Sequence, residues 1–420
     1  MNTAFGNIDT SGPVVQDSLE LEGRVSSGFR ISIRARGCSL KIAFVHTYRA
    51  STSSEGGASS DSIGYGITSA DLLVQSVRNA GHEVVEIRPC ASRIIEWRGV
   101  VLSSIARALR DSSVDAIFLF HCANPLAASV RQLLNDSRVN VPLVGYTHGS
   151  HWDPTDVYRG SAAPFMQWAD LGNLLAMDLI FFVSGGIRDA VLTAVADAAP
   201  GALADVASRA VVTHLPVSTP PQELSGRDSG SRKLVYNHSF DAGKAPQLFF
   251  RTAASLLSYD AELIVEFTRS PTPGSSESSE LDSLVRGYPR RVEVHGGLSV
   301  RDYYEVLAGA SHQMSTASHE SFGVATFEAI LAGCCAILPD RAAYREFFGS
   351  VPFGLYQSGQ EISRAMELLN SEEQSHRLWR LQDQVARRVT HAPSVTDVIL
   401  RALMNHIKAD SFNTKEVSQR

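Results

Sequence analysis

Apolar runs too short for helices alternate with amphipathic stretches through most of the chain. KIAFVHTY (41–48) has the length and composition of a buried strand, and EVVEI (83–87), AIFLF (116–120), PLVGYTH (142–148) and LIFFVS (179–184) read the same way. A Gly/Ser-rich loop over 51–66 leads into a helix predicted at 67–80, which Gly81 ends as a C′ glycine. Strands that are apolar nearly throughout, separated by helical stretches, predict a parallel sheet covered on both faces.

Residues 217–233 break the alternation with prolines, serines and glycines and no apolar period, which marks a linker. The pattern then restarts. KLVYNHS (233–239), ELIVEFT (262–268), RVEVHGG (291–297), 312–316 and CCAILP (334–339) are predicted strands, with helices at 246–258, 301–309 and 323–332. The predicted organisation is a first doubly wound domain over 40–216 and a second over 234–392. A C-terminal helix at about 393–408 packs back onto the first domain, and loosely ordered tails occupy 1–39 and 409–420. Two such domains leave a cleft at the carboxyl ends of their strands.

The 420 residues suffice for two full cores. A net charge of −6 with no run of basic residues gives no footprint for nucleic acid or an anionic membrane. Five cysteines in no metal-ligand spacing read as reduced thiols of a cytoplasmic protein. The N-terminus lacks the pattern of a secretory signal, and no stretch is apolar for the ~18 residues a membrane span needs.

The chemistry concentrates in STASHESFGVATFEAILAGCCAILPDRAAYREFF (315–348). It reads as a strand end, the tight loop HESFG, a helix closed by Gly333, and a buried strand. The loop brings the N–H groups of Phe322, Gly323 and Val324, beside Ser321, to a helix N-terminus, where they can meet phosphate oxygens. Glu320 sits on the loop and Glu328 eight positions later, within roughly 80° of it if the loop continues the helical path. A carboxylate in the apolar helix VATFEAILA needs a partner, and sugar and ribose hydroxyls are donors that such a pair can accept from. His121 and His148 end strands and should face the cleft, or else satisfy backbone carbonyls there, and His151 and Trp152 lie in a polar-aromatic loop able to hold a sugar-like acceptor, with a core position the equal alternative for Trp152.

The run from Glu320 to Gly333 resembles the E-x(7)-E signature of retaining family 4 glycosyltransferases. That resemblance implies an α/β GT-B fold, two Rossmann-like doubly wound domains facing each other across a cleft. It gives Glu320 the donor sugar, Glu328 the nucleotide ribose and the intervening amides the diphosphate. KLVYNHSFDAGKAPQLFF (233–250) resembles the opening of the family's donor domain, with Lys244 as the diphosphate-binding lysine. The arginine that usually precedes it is missing, and Asn237, His238 and Ser239 stand near its place. This form, like the glutamate motif, is similar to queuosine-tRNA mannosyltransferases. Gly57 and Gly296 fall in loops resembling those near the acceptor and the base, and His121 takes a position where the family often has a catalytic histidine.

The implied activity is a metal-independent, retaining hexosyl transfer from a nucleotide diphosphate sugar to a hydroxyl of a small molecule or glycan. No metal ligands and no cofactor beyond that co-substrate are expected. The rival readings are a tRNA-modifying mannosyltransferase and a non-catalytic nucleotide-sugar binder of the same fold. An oxidoreductase fits poorly, because neither first strand is followed by GxGxxG.

Overall fold

The computed structural model describes residues 39–47, 65–89, 94–122, 126–156, 164–224 and 231–417. The expected N-terminal tail, apart from Ser39, and the glycine loop with Gly57 lie outside them. Ser39–Arg420 cluster as one unit, so both sheets and the cleft between them belong together.

Strands β1 (Lys41–Val45), β2 (Glu83–Ile87), β3 (Ala116–Leu119), β4 (Leu143–Thr147), β5 (Leu179–Phe182) and β6 (Ala210–Val212) form a parallel sheet ordered β2-β1-β3-β4-β5-β6. Its helices are α1 (Tyr65–Asn79), α2 (Ile94–Asp111), α3 (Leu126–Asp136), α4 (Pro164–Ala176), α5 (Gly185–Ala198) and α6 (Pro200–Arg209). Phe44 pairs in register with Phe118 and stacks on it at 5.0 Å, and Phe118 stacks on Phe181 at 5.7 Å. One face of the sheet is thereby filled with rings, while Val45, Ile117, Leu119 and Ile180 fill the other. Burial on both faces is what the near-continuous apolar strands encode.

The second sheet runs β12-β11-β10-β7-β8-β9 and is also parallel. Its strands are β7 (Lys233–Tyr236), β8 (Ile264–Phe267), β9 (Val292–Val294), β10 (His312–Met314), β11 (Cys335–Pro339) and β12 (Leu355–Tyr356). Around it lie α7 (Pro246–Tyr259), α8 (Ser276–Gly287), α9 (Val300–Ala308), α10 (Val324–Ala332), α11 (Ala342–Phe348), α12 (Glu361–Leu369) and α13 (Glu372–Val389). A last helix, α14 (Ala392–Val417), packs on α1 of the first domain. It runs well past 408, which corrects the tail expected from 409. The sequence there has no glycine or proline to stop it. β6 and β12, three and two residues long, are too short to show an apolar period.

In each sheet the strand order reverses once, between β1 and β3 and between β7 and β10, and a crevice opens at the strand ends there. Side chains tie the two halves together beside it. The Glu346 carboxylate accepts from Gly185 N (3.0 Å) and Gly186 N (2.8 Å), completing the N-terminus of α5 from α11. A Cβ at either glycine would stand within 3.3–3.6 Å of Glu346 or Ala342, so small residues keep this approach open. Ser184 Oγ donates to Ser321 O at 2.7 Å, and His319 Nδ1 lies 3.0 Å from Thr155 Oγ1.

Candidate active site

One cavity of about 430 Å³ opens between the strand ends of the two sheets. Its C-terminal wall begins where β7 ends. Asn237 is fully buried and donates through Nδ2 to Ala325 O (2.7 Å) and Tyr303 Oη (3.0 Å), and its Oδ1 is buried without a partner. His238 Nε2 accepts from the Gln313 amide at 2.9 Å. Burial pushes the His238 imidazole down to about 4, so it is neutral near pH 7. After a turn, Lys244 points back across the cavity, its Nζ 2.8 Å from Glu320 Oε2. Burial raises the Glu320 carboxyl, but the charge and hydrogen bond of Lys244, together with the neighbouring His238 and His319, outweigh it and hold the carboxyl below the ordinary range.

The loop before α10 differs from the helical extension that the spacing of the two glutamates presupposes. Gly323 has φ +95°, and a Cβ on it would lie 3.1 Å from the Tyr344 ring. That left-handed residue ends the helical path, so Glu320 turns to Lys244 while Glu328 accepts from Tyr303 Oη at 2.8 Å. The two carboxylates therefore have separate partners. Burial pushes Glu328 up to about 7, against the pull of Tyr303 and Arg269. Val324 and Ala325 line the cavity, and Glu328 is not among the lining residues. The first-turn N–H groups of α10 have no partners within the helix, and Gly323, Val324 and Ala325 at that end line the same cavity.

The N-terminal wall is built at the ends of β3 and β4 and on α4. His121 and His148 meet edge to face at 5.1 Å. Burial lowers them to about 4 and about 3, and His148 Nε2 donates to Phe120 O at 2.7 Å. Asp170 of α4 accepts with a single oxygen, Oδ2, from His151 N (2.8 Å), His151 Nδ1 (2.8 Å) and Ser150 Oγ (3.3 Å).

Of the residues singled out in the sequence, His121, His148, His151, Asn237, His238, Lys244, Glu320, Ser321, Phe322, Gly323 and Val324 all line this cavity. Trp152 does not, and its expected acceptor contact is corrected. It is 0% exposed, packs against Trp168, and donates Nε1–H to Gln167 O at 2.6 Å. Its indole completes the core beneath the loop. Gly296 is exposed after β9, outside the lining. Sequence reasoning missed Arg269, Asp170 and Tyr303. Arg269 follows β8 and reaches the cavity from a different strand than the missing arginine would have done. Its signal was present as an arginine just past the carboxyl end of an apolar strand.

No protein-family model matches the chain. Among curated proteins, the tRNA-queuosine alpha-mannosyltransferase of Drosophila melanogaster is 26% identical over 133 residues, 32% of this chain and 34% of that protein. The chain therefore aligns with about a third of that relative's length. Among solved structures, sucrose-phosphate synthase from Thermosynechococcus elongatus matches 88% of this chain and 100% of that chain, with a TM-score of 0.67 at 13% identity. The chain has the GT-B fold. E. coli trehalose-6-phosphate synthase bound with UDP-2-fluoro glucose agrees, with a TM-score of 0.60 at 11% identity over 86% of this chain and 98% of the other. These GT-B neighbours are glycosyltransferases, and likeness at such identities establishes the architecture. What the chain does with that architecture rests on its own residues.

Proposed function

We propose that this protein is a retaining glycosyltransferase that moves a sugar from a nucleoside diphosphate sugar to a hydroxyl of a small molecule or glycan. The observation that carries the reading is the convergence of the Lys244–Glu320 ion pair, the open N-terminus of α10 and Arg269 on one cavity at the strand-order reversal of the second sheet. A diphosphate matches that set, because two cations and a helix N-terminus face it. Glu320 is then placed for the sugar hydroxyls, and Glu328, once Tyr303 yields, for the ribose. Arg269 supplies the second cation that His238, neutral by burial, cannot supply.

In the proposed step the acceptor oxygen bonds to the anomeric carbon as the bond from that carbon to the diphosphate oxygen breaks on the same face. The acceptor proton passes to a leaving-phosphate oxygen. The protein contributes fixed charge where negative charge grows. No metal ion is needed for this, and transfer should proceed in EDTA. The buried free thiol of Cys122 supports a reducing compartment, the cytoplasm. Among the described residues no helix is long and apolar enough to cross a membrane.

The reading is tested by the product. Wild type should turn over a nucleotide sugar, with the likeness to a mannosyltransferase making GDP-mannose a first donor to try beside UDP-glucose. Glu320→Ala and Lys244→Ala, checked for folding by circular dichroism, should not. A folded variant with full turnover, or a product of inverted anomeric configuration, contradicts it.

A further inference from the structure

Asp170 spends one oxygen on three donors from a single loop, His151 N, His151 Nδ1 and Ser150 Oγ, at the N-terminal wall of the cavity. That oxygen can only accept, so the hydrogen of a neutral His151 ring sits on Nδ1. Nε2 is left as a bare lone pair on a side chain that is 24% exposed and lines the cavity opposite Lys244 and Glu320. Asp170 is itself buried, and the backbone bond from His151 N fixes where the ring starts. A carboxylate that orients an imidazole in this way sets both its tautomer and its direction.

We propose that His151, positioned by Asp170, accepts a hydrogen bond from a hydroxyl of the acceptor, and that this acceptor is an unphosphorylated polyol. The inference rests on the glycosyltransferase reading above and assigns its acceptor side. Asp156 and Asp170 bring two carboxylates to that wall, and its other histidines, His121 and His148, are neutral by burial. Among the described residues, the lining contributed by the N-terminal half includes no lysine or arginine. A hydroxyl donates into such a wall. Among the described residues of that wall, a phosphate group meets two carboxylates and no lysine or arginine.

The test follows donor turnover with water, glucose or glucose 6-phosphate as acceptor. The donor is the nucleotide sugar that raises the melting temperature of wild type. His151→Ala and Asp170→Leu should lower turnover at least about tenfold, with the donor-induced melting shift retained. Asp170→Asn keeps a carbonyl oxygen for the same three donors and should stay within about threefold of wild type. His151→Gln, which places an amide oxygen near the position of Nε2, should recover part of what His151→Ala loses. Nitrogen NMR of the wild-type ring in its neutral form should find the hydrogen on Nδ1. The inference is overturned if Asp170→Leu turns over donor like wild type, if Nε2 carries the hydrogen, or if glucose 6-phosphate is used in preference to glucose. Loss of the donor-induced shift in His151→Ala would also overturn it, by placing the residue on the donor. A wild type with neither melting shift nor turnover removes the glycosyltransferase reading and this inference together.

Discussion

The two walls of the cleft carry charge in opposite ways. The C-terminal wall gathers Lys244, Arg269 and the open end of α10, and pairs Lys244 with a carboxylate held ionised beside it. The N-terminal wall has two histidines kept neutral by burial, and Asp170 is committed to orienting a third. In the proposed reading, one wall meets fixed negative charge and the other accepts hydrogen bonds from neutral groups. Both lie at the carboxyl ends of parallel strands at or beside a strand-order reversal, so architecture alone does not distinguish them. The side chains at the strand ends do.

The largest expected effect comes from removing the positive pole of the donor wall. Lys244→Ala should lower kcat about 100-fold or more, the range seen when one preorganised donor to a developing anion is lost. It should also cost stability, since Glu320 is left buried without its partner. If kcat holds and only stability falls, the pair is structural and the contrast between the walls weakens. Arg269→Ala should act more gently, raising the donor KM about tenfold with kcat less affected, because the arginine is exposed at the cavity edge. An unchanged KM would remove Arg269 from the diphosphate site.

Glu328 sharpens the comparison through pH. A carboxylate accepts ribose hydroxyls best when ionised, and burial pushes this one up to about 7. Donor affinity should therefore rise as pH increases through about 7, and Glu328→Gln should flatten that profile. Protein stability runs the other way. A carboxyl that holds its proton more tightly when folded contributes stability at low pH that is lost as pH rises through about 7. A donor affinity independent of pH between 6 and 8 would separate Glu328 from the ribose. The smallest expected effect is none, since EDTA should leave turnover unchanged. A reproducible requirement for added magnesium would show that the two cations and the helix end do not suffice.

Much of the C-terminal wall was legible because it is local. Glu320, Gly323 and Glu328 lie within one loop and helix, and Lys244 follows a strand by a few residues, so spacing and apolar pattern locate them. The separate orientation of the two glutamates was not legible, because it turns on the left-handed conformation of Gly323 and on Tyr303 from another helix. Arg269 and Asp170 reach the cavity from elements distant in sequence, and neither sits in a motif. Trp152 misled for a related reason. Beside His151 and Asp153 it looked like part of a binding loop, yet its partners, Trp168 and Gln167, come from α4 and carry it into the core.

The central claim is that the C-terminal wall binds a nucleoside diphosphate sugar. Its most direct test is the melting temperature of wild type and Lys244→Ala against UDP-, GDP- and dTDP-sugars. A ligand present at about 100 times its Kd stabilises the native state by about 2.7 kcal/mol. The account expects one nucleotide class to raise the wild-type melting temperature by several degrees and to do far less for Lys244→Ala. Equal shifts in the two proteins, or none with any nucleotide sugar, would contradict it.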